Sequence, residues 1–293
     1  MSTNITRNGT NGTNGAEGAL ASEQDPLLPL SSKTSLGPRW ARWRAHLNED
    51  VTLDRTDLVL LYAFFLTGLL DTSATAIWHT FVSMQTGNTV FLALGLAGPE
   101  TSSRWIRSGI SLGSFCLGSC FFARIHYAIH PRRRWILLLS IIIQVAFVLA
   151  AALIVAFTPV TETGDGSDLH WHVLLPLALI AFQSSGQAVV SRALRHRTLT
   201  SVALTSIYCD LFSDAELLAG LASNVERNRR GTAAFLLFIG ALTGGAWSRM
   251  DIGMTGAIWT AVVMKSFYIP VWLFWKKERK EEEGEGALIN VDC

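Results

Sequence analysis

The chain has 293 residues, of which 49% are hydrophobic and 16% charged, and its mean hydropathy is +0.32. Soluble domains carry about 25% charged residues, so this composition indicates a membrane protein and argues against a soluble enzyme. The net charge of +1 argues against a nucleic-acid-binding protein. Two of the four cysteines lie inside an apolar stretch and one is the last residue, which fits neither a disulfide scaffold nor a zinc site.

Residues 1–56 form a polar tail, rich in Asn, Gly, Thr and Ser, that lacks the apolar core of a signal peptide and is predicted to be disordered. Two signals in this tail oppose each other. Glycosylation sequons, which need a lumenal tail, begin at Asn4, Asn8 and Asn11. An acidic dileucine signal ending in Leu27 and Leu28 needs a cytosolic tail, where a sorting adaptor would bind it. The dileucine favours a vacuolar or endosomal membrane and leaves the plasma membrane open.

Six apolar runs follow the tail. About 20 apolar residues suffice to cross the hydrocarbon core of a bilayer, and tryptophans lie at the ends of several runs, as in an interfacial aromatic belt. The predicted spanning helices are Leu58–Thr80, Gly109–Ala123, Trp135–Val160, Trp171–Ser191, Gly231–Ser248 and Ile252–Trp275. Two further segments, Thr86–Ala97 and Thr200–Leu221, are either full spans or re-entrant half-helices, because the first is short and the second contains three acidic residues.

The distribution of charge favours one of these alternatives. Basic residues occur in five clusters, near Arg39–Arg44, Arg132–Arg134, Arg192–Arg197, Arg227–Arg230 and Lys276–Lys280. If both ambiguous segments are re-entrant, all five clusters lie on one side of the membrane and the acidic loop Thr161–His170 on the other. The positive-inside rule then predicts six crossings with cytoplasmic termini, and leaves only Arg104 and Arg107 outside. The first cluster contains two tryptophans and is predicted to lie on an anionic inner leaflet.

Six crossings divide the membrane domain, residues 57–275, into halves of about 57–160 and 171–275, followed by a charged cytosolic tail at 276–293. Each half contains a helix, a short segment and two more helices, and three crossings per half invert the second half relative to the first. The sequence 82–98 resembles 201–220, with Thr86 opposite Thr205, and helices whose glycines are assigned to packing follow both. Inverted repeats with discontinuous helices are typical of secondary transporters, whose site lies at the midplane between the halves.

Two charged residues lie near the middle of predicted spans, Asp71 in the first and Lys265 in the last. A buried charge in a membrane is costly, so each is predicted to be paired, neutral or facing a polar cavity. One hypothesis is a buried Asp71–Lys265 ion pair that fixes helix packing. A second is a coupling pair, in which a substrate or a proton competes for one partner, and a third leaves the two residues unpaired.

The segment Gln85–Thr89 predicts the start of a half-helix. Gly87 permits an unwound turn, and Thr86 or Asn88 can cap the helix that follows. The free N–H groups of such a helix would suit a carboxylate or another anion, and the alternative is an ordinary capped helix start.

Glutamines predict further polar positions inside the spans. Gln183 and Gln187 lie four residues apart on one helical face and are predicted to line a cavity together, whereas Gln144 is assigned to an interhelical hydrogen bond. No catalytic residue, metal site or cofactor is predicted, because the sequence contains no known catalytic motif and its histidines lie in loops on opposite sides of the membrane.

The stretch GLLDTSATAIWHTFVSMQTGNTVFLALGLAG, residues 68–98, resembles the YoaK-type family of polytopic membrane proteins of unknown function. The motif of that family is a Gly and an Asp in the first helix followed by FxxxxTGN, which Gly68, Asp71, Phe81 and Thr86–Asn88 match. The stretch VALTSIYCDLFSD, residues 202–214, resembles the second motif of fungal members, with Thr205 and Ser206 in place of a Thr-Gly pair. The resemblance implies a six- or seven-helix membrane protein and supplies no substrate, reaction or catalytic residue.

We therefore predict an all-α protein of the lipid bilayer that carries a small polar or anionic solute. Asp71 and Lys265 are the coupling candidates. The substrate-facing candidates are Thr86, Gly87, Asn88, Gln183 and Gln187. The alternatives are an intramembrane enzyme or biosynthetic accessory acting on an apolar metabolite, and a structural membrane partner without a substrate. The identity of the solute and the oligomeric state stay open.

Overall fold

A computed structural model describes residues 39–98, 102–128, 131–158, 169–194, 201, 202, 204–220 and 222–278. Within these residues the chain forms ten helices and two isolated β-bridges, which confirms the all-α class. The helices are α1 Arg39–Leu47, α2 Thr56–Trp78, α3 Gln85–Ala97, α4 Arg104–Ala128, α5 Arg134–Phe157, α6 Trp171–Ala193, α7 Leu204–Phe212, α8 Val225–Trp247, α9 Gly253–Ser266 and α10 Tyr268–Leu273. The predicted sequons, the dileucine signal, the acidic loop at 161–168 and the tail after residue 278 lie outside the described residues.

Five stretches of the described chain are long and apolar enough to cross a membrane. They are Thr56–Trp78, Arg104–Tyr127, Arg134–Phe157, Trp171–Ala193 and Gly253–Leu273. These stretches correspond to five of the six predicted spans and establish an integral membrane protein. The sixth predicted span corresponds to α8, whose 23 residues reach about 35 Å at 1.5 Å per residue. Charged residues in its first two turns make α8 more polar than the other five.

Helix α8 nevertheless lies along α2 over most of its length. Arg229 Nε donates to Asp57 Oδ2 across 2.8 Å near the start of both helices. Further along, Gly240 and Gly244 bring α8 so close to α2 that a Cβ on either glycine would overlap a backbone carbonyl of α2. Because the contacts advance in the same direction on both helices, α2 and α8 run parallel and α8 crosses the bundle as α2 does. The prediction that these glycines serve helix packing is confirmed.

The second half of the chain repeats the packing of the first half with exchanged partners. The third helix of each half packs on the first helix of the other, α8 on α2 and α4 on α6, and the fourth helices α5 and α9 contact each other. At the α4–α6 interface a Cβ on Gly118 would overlap the Phe182 carbonyl. The sequence intervals also agree, because α3 and α5 start as far apart as α7 and α9.

The two short helices occupy corresponding places in this arrangement. Thr86 and Thr205, which the sequence comparison set opposite each other, are the second residues of α3 and α7. Within these two helices, both described in full, the buried residue is the fourth in each case, Asn88 and Ile207. The packing exchange and the shared register support an internal repeat.

Both short helices follow a segment that turns back into the bundle. After α2 ends at Trp78, the backbone N–H groups of Val82 and Ser83 return to the Asp71 side chain, roughly 10 Å back along α2. After α6 ends, Ser201 returns in the same way to Gln187, whose Nε2 donates to Ser201 Oγ across 2.8 Å. The helices that follow have 13 and 9 residues, and these are too short to cross a hydrocarbon core of about 30 Å. Both segments are therefore re-entrant.

Three segments that are distant in sequence meet at one end of the bundle, which we call the basic end. Val51 N donates to Arg132 O, and Thr52 N donates to Lys276 O, each across 3.1 Å. The chain before α2, the α4–α5 loop and the chain after α10 therefore lie on the same side, as six crossings require. The structure differs from the prediction of a disordered tail up to residue 56, because Arg39–Leu47 forms α1 and residues 50–52 join this contact.

The two arginines that the charge rule left on the opposite side have a local role there. Arg104 Nε donates to the His79 carbonyl across 2.7 Å, and Arg107 Nη1 donates to the Trp78 carbonyl across 3.2 Å. Both guanidinium groups thus satisfy carbonyls at the C-terminus of α2, where the helix dipole also favours positive charge. Their partners explain why Arg104 and Arg107 depart from the positive-inside pattern.

Candidate functional site

Asn88 joins α3 to the re-entrant segment before it and to α4. Its Oδ1 accepts from Thr80 Oγ1 and Phe81 N, and its Nδ2 donates to the Phe81 carbonyl across 2.8 Å and to Ser111 Oγ across 3.1 Å. The side chain is fully buried. A buried amide that uses both ends in this way fixes the segment's conformation.

Thr86 and Gly87, the neighbours of Asn88, do not present a binding surface. The Thr86 side chain is exposed on the outside of α3. A Cβ on Gly87 would lie 2.7 Å from the Phe81 ring, so the glycine is needed for that ring to pack over the helix. The prediction that Thr86 and Gly87 face a substrate is not supported by this geometry, because the exposed face points away from the bundle and the inner face is filled by Phe81.

Asp71 occupies the position that the sequence assigned to an anionic ligand. Its Oδ1 accepts from Val82 N and Ser83 N, each across 2.8 Å, and its Oδ2 accepts a short hydrogen bond from Ser83 Oγ. These donors lie immediately before α3, where free N–H groups attract negative charge. The carboxylate of α2 itself thus satisfies the amides of the re-entrant segment.

Lys265 lies where three spanning helices meet. Its Nζ donates to Gln144 Oε1 of α5 across 2.8 Å and makes a short hydrogen bond to Gln183 Oε1 of α6. All three side chains are about 1% exposed. Among the described residues no carboxylate lies within ion-pair distance of Nζ, so the ammonium group has neutral partners.

The hypothesis of a direct Asp71–Lys265 pair is therefore wrong in this conformation. Tyr62 Oη donates to the carbonyl of Met264, the neighbour of Lys265, across 3.2 Å. Lys265 thus lies at the level of Tyr62 on α2, and Asp71 lies roughly 13 Å further along that helix at 1.5 Å per residue. The two residues are both buried, but they meet different neighbours.

Gln187 connects α6 to α2 and to the second re-entrant segment. Its Nε2 lies within hydrogen-bond distance of Ala63 O, Thr67 Oγ1 and Ser201 Oγ. Together with Gln144 it lines a cavity of about 20 Å³ between α2, α5, α6 and α10, which has room for about one water molecule. Gln187 therefore lines this cavity without Gln183, which turns to Lys265, so the predicted arrangement of both glutamines around one cavity is not found.

Helix α6 links the two re-entrant segments through successive polar side chains. Ser184 Oγ donates to the Val82 carbonyl of the first segment across 3.0 Å, Gln183 contacts Lys265, and Gln187 contacts Ser201 of the second segment. Helix α9 ends just after Lys265, because Pro270 lacks the N–H that would continue the helical bonding. Helix α6 thus contacts both re-entrant segments and the end of the discontinuous helix, each through a different side chain. We define Gln144, Gln183 and Lys265 as the Lys265 cluster.

Gln144 is the member of the Lys265 cluster that the sequence analysis does not include among its candidate site residues. It was assigned to an interhelical hydrogen bond, and it makes one, but to the buried lysine. The signal was present in the sequence, because Gln144 is the polar residue near the middle of the most hydrophobic span, Arg134–Phe157, whose mean hydropathy is 2.9. In the part of the chain that is described, no group of three or more His, Cys, Asp or Glu side chains is arranged to hold a metal ion.

The model of one protein family, described as a protein of unknown function (DUF1275), matches residues 59–270. No curated protein and no solved structure matches the chain. The matched range extends from the first turns of α2 into α10, so it includes both re-entrant segments and the Lys265 cluster.

Proposed function

We propose that this chain, which belongs to the DUF1275 family of proteins of unknown function, is a secondary transporter for a small anionic solute that binds at Lys265. Its membership of a family without an assigned activity leaves the substrate to be argued from geometry. Within this family, we propose from the motif in residues 68–98 that the chain belongs to the YoaK-type members.

The observation that carries the proposal is the buried side-chain amino group of Lys265, beside which the described part of the chain places no carboxylate. Gln144 and Gln183 accept two of its hydrogen bonds, but an amide oxygen does not neutralise a full charge in the membrane interior. Such a residue is stabilised by an anion that enters beside it. The two glutamine side chains can rotate their amides to donate to that anion, so the cluster offers both charge and hydrogen bonds.

The position of Lys265 supports the same conclusion. Transporters built from inverted repeats bind their substrate near the midplane, at discontinuous helices between the halves. Here Lys265 precedes the break between α9 and α10. Its partner Gln183 lies on α6 beside Ser184, which contacts the first re-entrant segment, and one turn before Gln187, which contacts the second. Lys265 is 1% exposed, and the cavity of about 20 Å³ that Gln144 lines beside the cluster is too small for a metabolite, so transport requires the helices to separate.

Asp71 has a different role in this proposal. Its carboxylate is satisfied by the segment before α3, so Asp71 holds the first re-entrant segment in place instead of coupling transport through Lys265. The basic end carries the N-terminal and C-terminal segments, and the positive-inside rule places it in the cytoplasm.

The test is metabolite profiling of cells that lack the chain and then express the wild type, Lys265→Met or the control Lys276→Met. Cell contents and medium are measured separately. Lys276 is exposed at the basic end, so the control loses the same charge without touching the cluster. We expect an unchanged anionic compound to shift between cells and medium with the wild type and the control, but not with Lys265→Met.

Other outcomes overturn the proposal. A missing product with an accumulating precursor would favour the intramembrane enzyme, and no change in either compartment would favour a structural partner. If the compound still shifts between cells and medium with Lys265→Met, Lys265 is not part of the binding site.

A further inference from the structure

A second basic site lies outside the membrane-spanning bundle, on α1. The nine residues of α1 include two tryptophans and three arginines and none is buried in the bundle. Trp40 is 64% and Trp43 51% exposed. A short helix that exposes both aromatic and basic side chains at the end of a membrane domain has the composition of an interfacial helix.

This helix is held in a defined place. His46 contacts the Leu273 carbonyl at the end of α10 across 2.9 Å, and Arg134 Nη1 donates to the His46 carbonyl across 2.7 Å. Arg134 is 1% exposed and also donates from Nη2 to the Trp275 carbonyl. One buried arginine thus joins α1, the start of α5 and the chain after α10, so α1 is fixed where α10 leaves the membrane.

A cavity of about 360 Å³ opens between α1 and the end of α10. It is lined by Arg39, Arg42, Trp43, His46 and Phe274. Arg39 and Arg42 are three residues apart and face the same side of α1. Neither takes part in an ion pair among the described residues, so two guanidinium groups face this cavity without a protein carboxylate.

An apolar surface continues from this cavity into the membrane region. Phe274 is 75% exposed, and Val271 and Phe267 follow it on the exposed side of α10 and of the break before it. Beside them a groove of about 480 Å³ is lined by largely apolar residues of α2, of α10 and of the chain on either side of α10. Guanidinium groups at the membrane–water interface above an apolar groove match a molecule with a phosphate at one end and an acyl chain at the other.

We propose that the cavity between α1 and α10 binds one anionic phospholipid. The lipid phosphate accepts hydrogen bonds from Arg39 and Arg42, and the glycerol backbone lies against Trp43 and Phe274. One acyl chain follows the exposed Val271 and Phe267 into the bilayer. The apolar groove adds affinity that a soluble phosphate cannot obtain, so the occupant is a lipid. This inference does not depend on the proposed transport function.

The experiment uses the full chain purified in detergent and counts bound lipids by native mass spectrometry. The probes are phosphatidylglycerol, phosphatidylcholine and glycerol phosphate. We expect one phosphatidylglycerol to stay bound at concentrations where phosphatidylcholine does not. The double variant Arg39→Gln/Arg42→Gln should weaken that binding by about tenfold or more, since each arginine near the headgroup adds a favourable interaction. Arg39→Lys/Arg42→Lys should restore part of it.

The matched control is Arg44→Gln/Lys276→Gln, which removes two exposed charges from the same end without changing the lining of the cavity. An equal loss of phosphatidylglycerol in this control would show diffuse attraction to charge and would overturn the site. Equal binding of phosphatidylcholine would show that the site does not select anionic lipids, which would overturn the proposal. Competition by glycerol phosphate as strong as that of the lipid would identify a soluble anion instead. All three double variants keep the contacts of His46 and Arg134, so their melting temperatures should match the wild type.

Discussion

Asp71 and Lys265 are both charged, both buried and both near the middle of spanning helices, yet they have opposite environments. Asp71 accepts its hydrogen bonds from the segment that follows its own helix, including those from Val82 and Ser83. The partners of Lys265 lie on two other helices, at Gln144 and Gln183. The carboxylate accepts hydrogen bonds from backbone amides that need an acceptor, whereas the ammonium group has amide oxygens that carry no charge.

The difference separates a residue that stabilises the fold from one that is available to a ligand. Backbone amides of the re-entrant segment stay buried in every state of the protein that keeps this fold, so Asp71 is needed throughout. Side-chain amides on α5 and α6 can exchange Lys265 for another partner when these helices move. Three substitutions test this comparison through stability, in order of decreasing effect.

The largest effect is expected for Asp71→Ala. The change leaves two backbone amides and the Ser83 hydroxyl buried without an acceptor, which costs about 3 kcal/mol or more in free energy of unfolding. The melting temperature in lipid nanodiscs should fall by roughly 6 °C or more relative to the wild type. Asp251→Ala, at an exposed position, serves as the control, and Asp71→Asn should lie between because one acceptor oxygen is kept. Equal melting temperatures for both alanine variants would contradict the role assigned to Asp71.

An intermediate effect is expected for Asn88→Ala. The variant loses the amide that joins residues 80–81 to α3 and Ser111, at a cost of about 2 kcal/mol. Thr86→Ala, two residues away on the exposed face, should stay within about 0.5 kcal/mol of the wild type. Thermal unfolding of both variants measures the contrast. A larger loss of stability in Thr86→Ala than in Asn88→Ala would contradict the structural role assigned to Asn88.

The smallest effect on stability is expected for Lys265→Met. The variant loses two hydrogen bonds but also removes a buried charge, and the two contributions nearly cancel, so the free energy of unfolding should change by about 1 kcal/mol or less. Its melting temperature should stay close to that of Lys276→Met, while the metabolite shift of the wild type disappears. A collapse in stability as large as that of Asp71→Ala would make Lys265 a second structural residue and remove the contrast between them.

Much of the architecture could be read from the sequence because it depends on one-dimensional properties. The apolar runs located the spanning helices, since about 20 apolar residues are needed to cross the bilayer. Loop charge selected six crossings, and the contact of residues 51–52 with Arg132 and Lys276 agrees with that choice. The similarity of 82–98 to 201–220 set Thr86 opposite Thr205, and both became the second residue of a short helix.

The candidate site was less predictable, because sequence gives the approximate depth of a residue in the membrane but not the direction of its side chain. Asp71 and Lys265 lie at similar depths by counting residues, which favoured a pair. Side-chain direction depends on how each helix rotates and tilts against its neighbours, and the contact of Tyr62 with the Met264 carbonyl sets Lys265 away from Asp71. For the same reason the sequence does not predict the hydrogen bond between Gln144 and Lys265, which lie far apart along the chain.

Hydropathy and charge act locally along the chain, so they sufficed to predict an all-α membrane protein with charged residues inside its spans and two re-entrant segments. They could not predict that Asp71 is satisfied by its own re-entrant segment or that Lys265 lies among neutral amides. The reason is physical: a buried polar group takes the donors and acceptors that packing brings to it, and packing joins residues that no local pattern relates.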